Sequence, residues 1–257
     1  MNLWQTLILA GVEGLTEFLP VSSTGHLILV SRLLRISQTE FVKSFEVAIQ
    51  LGAILAVAVM YGRRVLRSRE EMLRITAAFL PTAGLGFIGY KLIKTFLLGN
   101  SLVTVISLAA GGWLILQFEK KFLARSGEKK IADLSLAQAA MLGVVQAMAV
   151  VPGVSRALVT IFGGLYMGLS KKEATEFSFL LAVPTMAAAT GWDLLKSGWG
   201  FESGEWQMLA IGMAAAAAAA WAAVKWLIGF VQKHDFKAFG IYRIAAALVY
   251  LVITGLK

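Results

Sequence analysis

The chain has 257 residues, of which 58% are hydrophobic and 15% charged, and its mean hydropathy is +0.74. Apolar runs along the whole length exclude a water-soluble module and indicate an all-α polytopic membrane protein with a single membrane domain over 1–257. The lack of cysteine excludes disulfides, thiolate metal sites and a cysteine nucleophile. A net charge of +9 does not call for a nucleic-acid partner, because the basic residues sit mainly in short loops between apolar runs.

Residues 2–36 read as two short apolar helices broken at Pro20, the pattern of a re-entrant hairpin that enters and leaves a bilayer by one side. The first apolar stretch has no basic region before it, so no cleavable signal is expected. The break holds Glu13, Thr16, Glu17, Ser22, Ser23, Thr24 and His26, and polar side chains at membrane depth are costly enough to mark a site. Glu13 and Glu17 are four apart on one helix face. Pro20 stops that helix, and the Ser/Thr cluster after it can cap the next.

Three spans are expected next, at 42–61, 74–97 and 101–118. Residues 134–169 repeat the broken pattern around Pro152-Gly153, and spans follow at 174–195, 206–230 and 241–256. The expected fold is therefore six transmembrane helices plus two re-entrant helical hairpins. At an offset of 132, Pro20 matches Pro152, Ser23 matches Ser155 and Phe45 matches Phe177; with one residue of slippage Glu13 falls on Gln146. Each half, about 1–125 and 130–257, is then a hairpin plus three spans. An odd span count makes the halves an inverted repeat.

Charge gives an independent topology. With the N-terminus outside, the inside segments hold fifteen of the 24 basic residues, Arg63, Arg64, Arg67, Arg69, Arg74, Lys120, Lys121, Arg125, Lys129, Lys130, Lys171, Lys172, Lys233, Lys237 and Arg243. The outside segments hold seven, Arg32, Arg35, Lys43, Lys91, Lys94, Lys196 and Lys257. This asymmetry favours both termini outside, so the hairpins enter from opposite sides and their tips can meet near the midplane.

Arg156 is the only arginine between Leu134 and Ser170, and a buried guanidinium should face an anion. Glu13 or Glu17 could be that anion. Two helix N-termini, several hydroxyls and a permanent cation also make a receptor for phosphate. A divalent cation, Mg²⁺ or Ca²⁺, would then reconcile phosphate with the two carboxylates.

The stretches Glu13-Gly14-Leu15-Thr16-Glu17-Phe18-Leu19-Pro20-Val21-Ser22-Ser23-Thr24-Gly25-His26-Leu27, Phe45-Glu46-Val47 through Gln50-Leu51-Gly52, Pro152-Gly153-Val154-Ser155-Arg156 with Thr160, and Glu176-Phe177-Ser178-Phe179-Leu180-Leu181-Ala182-Val183-Pro184 together resemble the undecaprenyl-diphosphate phosphatases, or bacitracin-resistance proteins. The resemblance implies a multi-pass hydrolase of the bacterial cytoplasmic (inner) membrane that removes the terminal phosphate of a polyprenyl diphosphate lipid. Its site would face the outer side and need Mg²⁺ or Ca²⁺. The implied catalytic set is Glu13, Glu17, Ser23, His26 and Arg156, with Glu13 and Glu17 as metal ligands and Ser22, Thr24, Ser155 and Thr160 as phosphate contacts. A homodimer is compatible with this picture. After the arginine this chain has Ala157-Leu158-Val159 where the family usually has Ser-Gly-Ala, a departure that bears on substrate preference.

Phosphoryl transfer needs an aligned nucleophile, charge neutralisation and proton management. Ser23 is the best-placed nucleophile, three residues before His26, which could act as its base or acid; direct attack by His26 or by water is the alternative. A transporter of a polyprenyl phosphate lipid is the competing class, because broken helices and inverted repeats also build alternating-access sites. An acid-phosphatase-type site would need a second histidine after the arginine, and the only other one, His234, lies in a basic loop.

Overall fold

The computed structural model describes residues 1–92, 101–122, 127–197 and 201–254, and their regular structure is helical apart from one bridge between Lys129 and Leu169. Among the described residues ten α-helices follow one another: α1 (Leu3–Thr16), α2 (Ser23–Leu33), α3 (Glu40–Arg67), α4 (Arg69–Leu92), α5 (Ser101–Phe122), α6 (Leu136–Gln146), α7 (Arg156–Tyr166), α8 (Lys171–Ser197), α9 (Ser203–Lys233) and α10 (Lys237–Thr254).

Four of them are long and apolar enough to cross a bilayer: α3, the 69–89 part of α4, the 102–120 part of α5, and α9. The expected spans 174–195 and 241–256 fall in the helices α8 and α10, which are not among those four. Lys94, Arg125 and Lys257 lie outside the described residues.

The two broken regions are built alike. The helix α1 begins with a capping box in which Asn2 and Gln5 satisfy each other's backbone N–H groups, and α6 begins with the same device made by Ser135 and Gln138. The helices α2 and α7 are each 11 residues long, and their N-cap serines, Ser22 and Ser155, take left-handed φ values of 73° and 75°. The equivalence thus runs from Ser22 to Ser155, one position off the sequence offset that paired Ser23 with Ser155. The second break carries one more residue between its proline and its cap, and Gly153 absorbs it at a φ of 92°. In this register Ser23 corresponds to Arg156, and Glu13 to Gln146. The side-chain cap expected of the Ser/Thr cluster after Pro20 is found instead at the second break, where Ser155 Oγ accepts from the Leu158 N–H at 3.2 Å. Ser22 occupies the cap without a side-chain capping bond.

Packing interleaves the halves. The helix α1 lies on α9, and α6 lies on α4. Gly14 faces Ala216, Ala219 and Ala220, while Gly143 faces Ala78, so that a Cβ at either glycine would collide with the opposite helix. Small residues let helix backbones approach where lipid supplies no hydrophobic drive. Large apolar side chains such as Phe87, Ile88, Trp113 and Val252 point outward, as a lipid-facing surface requires. At one end, Arg64 joins three helices by bonding Glu71 at 2.8 Å and Glu176 at 2.5 Å.

Most of the charges counted as inside lie within helices near their ends rather than in loops, and one of them is not at the surface at all. Arg243 lies in the second turn of α10 and is fully buried, so it contributes nothing to the inside bias.

Candidate active site

The helix α1 ends at Thr16 because Pro20 lacks an N–H and excludes helical geometry just before it. Glu17 is the last residue held in register, its N–H donating to the Glu13 carbonyl at 2.9 Å. The chain then turns through Phe18–Val21 and restarts at Ser23, which brings the Ser23 hydroxyl back onto Glu17. That hydroxyl donates to Glu17 Oε2. The other oxygen, Oε1, accepts from Arg156 Nη2 at 2.9 Å. Arg156 stands at the head of α7, so this one carboxylate joins the two breaks.

Arg156 is held from three more directions. Its Nη1 donates to the Ser178 carbonyl at 2.8 Å, Met186 Sδ lies 3.6 Å from Nη2, and its Cζ sits 5.4 Å from the centroid of the Phe18 ring. Only its Nε is buried with no partner. Thr160 is fully buried; its hydroxyl donates to the Arg156 carbonyl at 2.8 Å and lies 2.6 Å from Ser178 Oγ. It therefore stands behind the arginine rather than open to a phosphate, whereas Thr24 is exposed. Ser22 and Ser155 are buried at the heads of their helices.

Glu13 is fully buried, and among the described residues neither of its carboxylate oxygens has a hydrogen-bond partner. An ionised carboxylate in that state is costly. It is well suited to a hard cation, whose oxygen ligands it would supply. Glu17 next to it already serves Ser23 and Arg156. No group of three or more His, Asp or Glu side chains placed to hold a metal ion occurs among the described residues, so any ion here would draw on Glu13, Glu17 and oxygens of its ligand.

His26 does not bond Ser23. Its Nδ1 lies 2.7 Å from the Ser22 carbonyl and its Nε2 2.6 Å from the Tyr242 hydroxyl, with the two rings parallel at 3°. A carbonyl can only accept, so Nδ1 carries a hydrogen; in the neutral ring Nε2 is then the basic nitrogen and Tyr242 donates to it. Beside Tyr242 opens an apolar groove of about 660 Å³ between the end of α1, α9 and α10, lined by Leu15, Leu19, Trp226 and Phe239.

Ser178, Tyr242 and Arg243 escaped sequence reasoning. Ser178 lies inside a stretch that carries the family resemblance, but a lone hydroxyl in an apolar helix has no distinguishing pattern. Ala157 and Leu158, where the family motif changes, are buried in the core, so the departure alters packing beneath Arg156 and leaves its charge in place.

The family model for bacitracin resistance protein BacA matches residues 6–249. The chain belongs to the BacA family. It is 52% identical to the undecaprenyl-diphosphatase of Aquifex aeolicus over 253 residues, covering 97% of this chain and 98% of that one. The undecaprenyl-diphosphatases of Thermus thermophilus and of Sulfurihydrogenibium are 48% and 47% identical, each over 97% of this chain and over 97% and 98% of theirs. This BacA-family chain is thus an apolar, all-helical, multi-pass membrane protein.

Proposed function

We propose that this protein hydrolyses undecaprenyl diphosphate to undecaprenyl phosphate and inorganic phosphate, returning the lipid carrier used in cell-wall synthesis. The observation that carries the reading is the chain of contacts Ser23–Glu17–Arg156, in a family whose relatives bear that activity in their names. Ser23 attacks the terminal phosphorus and its proton passes to Glu17, which already accepts from that hydroxyl. The bond from phosphorus to the bridging oxygen breaks, and undecaprenyl phosphate leaves. Water then cleaves the phosphoserine, with Glu17 managing the proton. Ser23 is favoured over His26 as nucleophile because both imidazole nitrogens are engaged, one by a carbonyl and one by Tyr242.

Arg156 neutralises charge on the transferring group. With its Nη atoms fixed on Ser178 and Glu17, its Nε, which has no partner among the described residues, is the donor left for a phosphate oxygen. Glu13, with Glu17 beside it, would hold Mg²⁺ or Ca²⁺, which supplies countercharge to the diphosphate. The groove suits the first isoprene units of the tail, being apolar and bordered by Tyr242, whose hydroxyl meets His26.

The membrane arrangement proposed is a single domain of six spans and two re-entrant hairpins in an inverted repeat, with halves about 1–125 and 130–257, both termini outside, and the site facing the outer side of the bacterial cytoplasmic membrane. Its support is length and symmetry. Helices of 14 and 11 residues rise only about 21 and 17 Å, short of a hydrocarbon core of about 30 Å. The matching capping boxes of α1 and α6 and the matching φ values of the two breaks fit one hairpin from each face. Phosphate release from undecaprenyl diphosphate by purified protein in detergent, with and without EDTA, tests the activity. No release at any metal concentration, together with movement of intact polyprenyl phosphate between leaflets of vesicles, would replace the enzyme with a transporter.

A further inference from the structure

Arg243 is the largest fully buried side chain among the described residues, and it makes no ion pair there. Its guanidinium is satisfied by four backbone carbonyls. Nη1 donates to Pro20 at 3.2 Å, Nη2 donates to Gly153 at 2.6 Å and to Ser107 at 3.0 Å, and Nε donates to Leu108 at 3.3 Å. Pro20 and Gly153 belong to the two helix breaks; Ser107 and Leu108 belong to α5. Carbonyls freed by a break have no water to bond at membrane depth, so a five-donor group with no acceptor answers a specific need there. The α5 surface is cut away to admit it, since a Cβ at Gly111 would collide with the guanidinium and one at Gly112 would lie 2.6 Å from the Gly240 carbonyl.

We propose that Arg243 is a positioning residue that holds the two breaks in register, and so sets Ser23 and Glu17 opposite Arg156. The inference rests on the catalytic reading above. Pro20 is three residues from Ser23, and Gly153 is three from Arg156, so a change in the separation of these two carbonyls is transmitted over one short turn on each side. Arg243 touches no reacting atom. A lysine keeps the charge but offers one ammonium, which cannot reach carbonyls on both breaks and on α5 at once.

The test uses Arg243→Lys and Gly111→Ala, the second keeping the guanidinium and displacing it. Two readouts are taken. The first is kcat and KM for phosphate release. The second is the distance distribution between spin labels at Leu15 and Met148, which are exposed beside the two breaks; the chain has no native cysteine to interfere. Misplacement by about 1 Å is expected to lower kcat about 100-fold with KM little changed, and the label distribution should broaden or shift in both variants. Wild-type kcat with a wild-type distribution overturns the proposal. So does a rise in KM with kcat unchanged, which would make Arg243 a binding residue, and so does loss of folding in both variants, which would make it a general support. If the wild type releases no phosphate, the catalytic reading fails, and the label distances alone decide whether Arg243 holds the breaks together.

Discussion

Replacing Glu17 by glutamine probes the contact on which the chemistry rests. Both neighbours of this carboxylate are donors: Ser23 through its hydroxyl and Arg156 through Nη2. An amide has one accepting and one donating end, so it cannot satisfy both. The favourable orientation turns its oxygen to the permanently charged Arg156 and its NH₂ to Ser23, which then has no base. General base catalysis is worth about 10²–10⁴ in rate, or about 3–5 kcal/mol of barrier, and kcat should fall by that factor. Because the oxygen still meets Arg156, the fold should survive and KM should move by less than about threefold, in keeping with a group used mainly in the transition state. The assay is phosphate release under saturating lipid and metal, paired with lipid binding. A glutamine variant with kcat within about tenfold of wild type would refute Glu17 as the proton acceptor for Ser23.

Three further outcomes are expected. Ser23→Ala should lower hydrolysis by at least about 10³-fold while binding of the diphosphate lipid persists; turnover near wild type would move the nucleophile to His26 or water. Arg156→Lys should lose most of its activity, about 10²-fold or more, because an ammonium cannot replace the forked contacts to Glu17 and the Ser178 carbonyl, and a lysine variant with normal kcat/KM would remove the arginine from the site. Single cysteines at Ser203 and Lys130, both exposed, should react with impermeant reagents from opposite sides of the membrane, Ser203 from outside; labelling from one side would end the inverted-repeat topology.

The sequence by itself determined the class, the broken helices and most of the polar residues that meet at the breaks. These are local properties: hydropathy sets lipid exposure, and proline interrupts a helix where it stands. The pairing of Arg156 with a first-break carboxylate was also legible as one of two alternatives, because a buried cation demands an anion. Only the tertiary structure decided which carboxylate it was. It also showed Glu17 rather than His26 against Ser23, set His26 against Tyr242, and moved the register of the two breaks by one residue through Gly153. Arg243 is the plainest case. In sequence it stands near Lys237 and Lys233 and reads as one more loop charge; in the fold, the helix α10 carries it into the core, where its partners are carbonyls of residues 90, 135 and more than 200 positions away. Backbone carbonyls are present at every residue, so no side-chain pattern can announce which of them a distant guanidinium will bind.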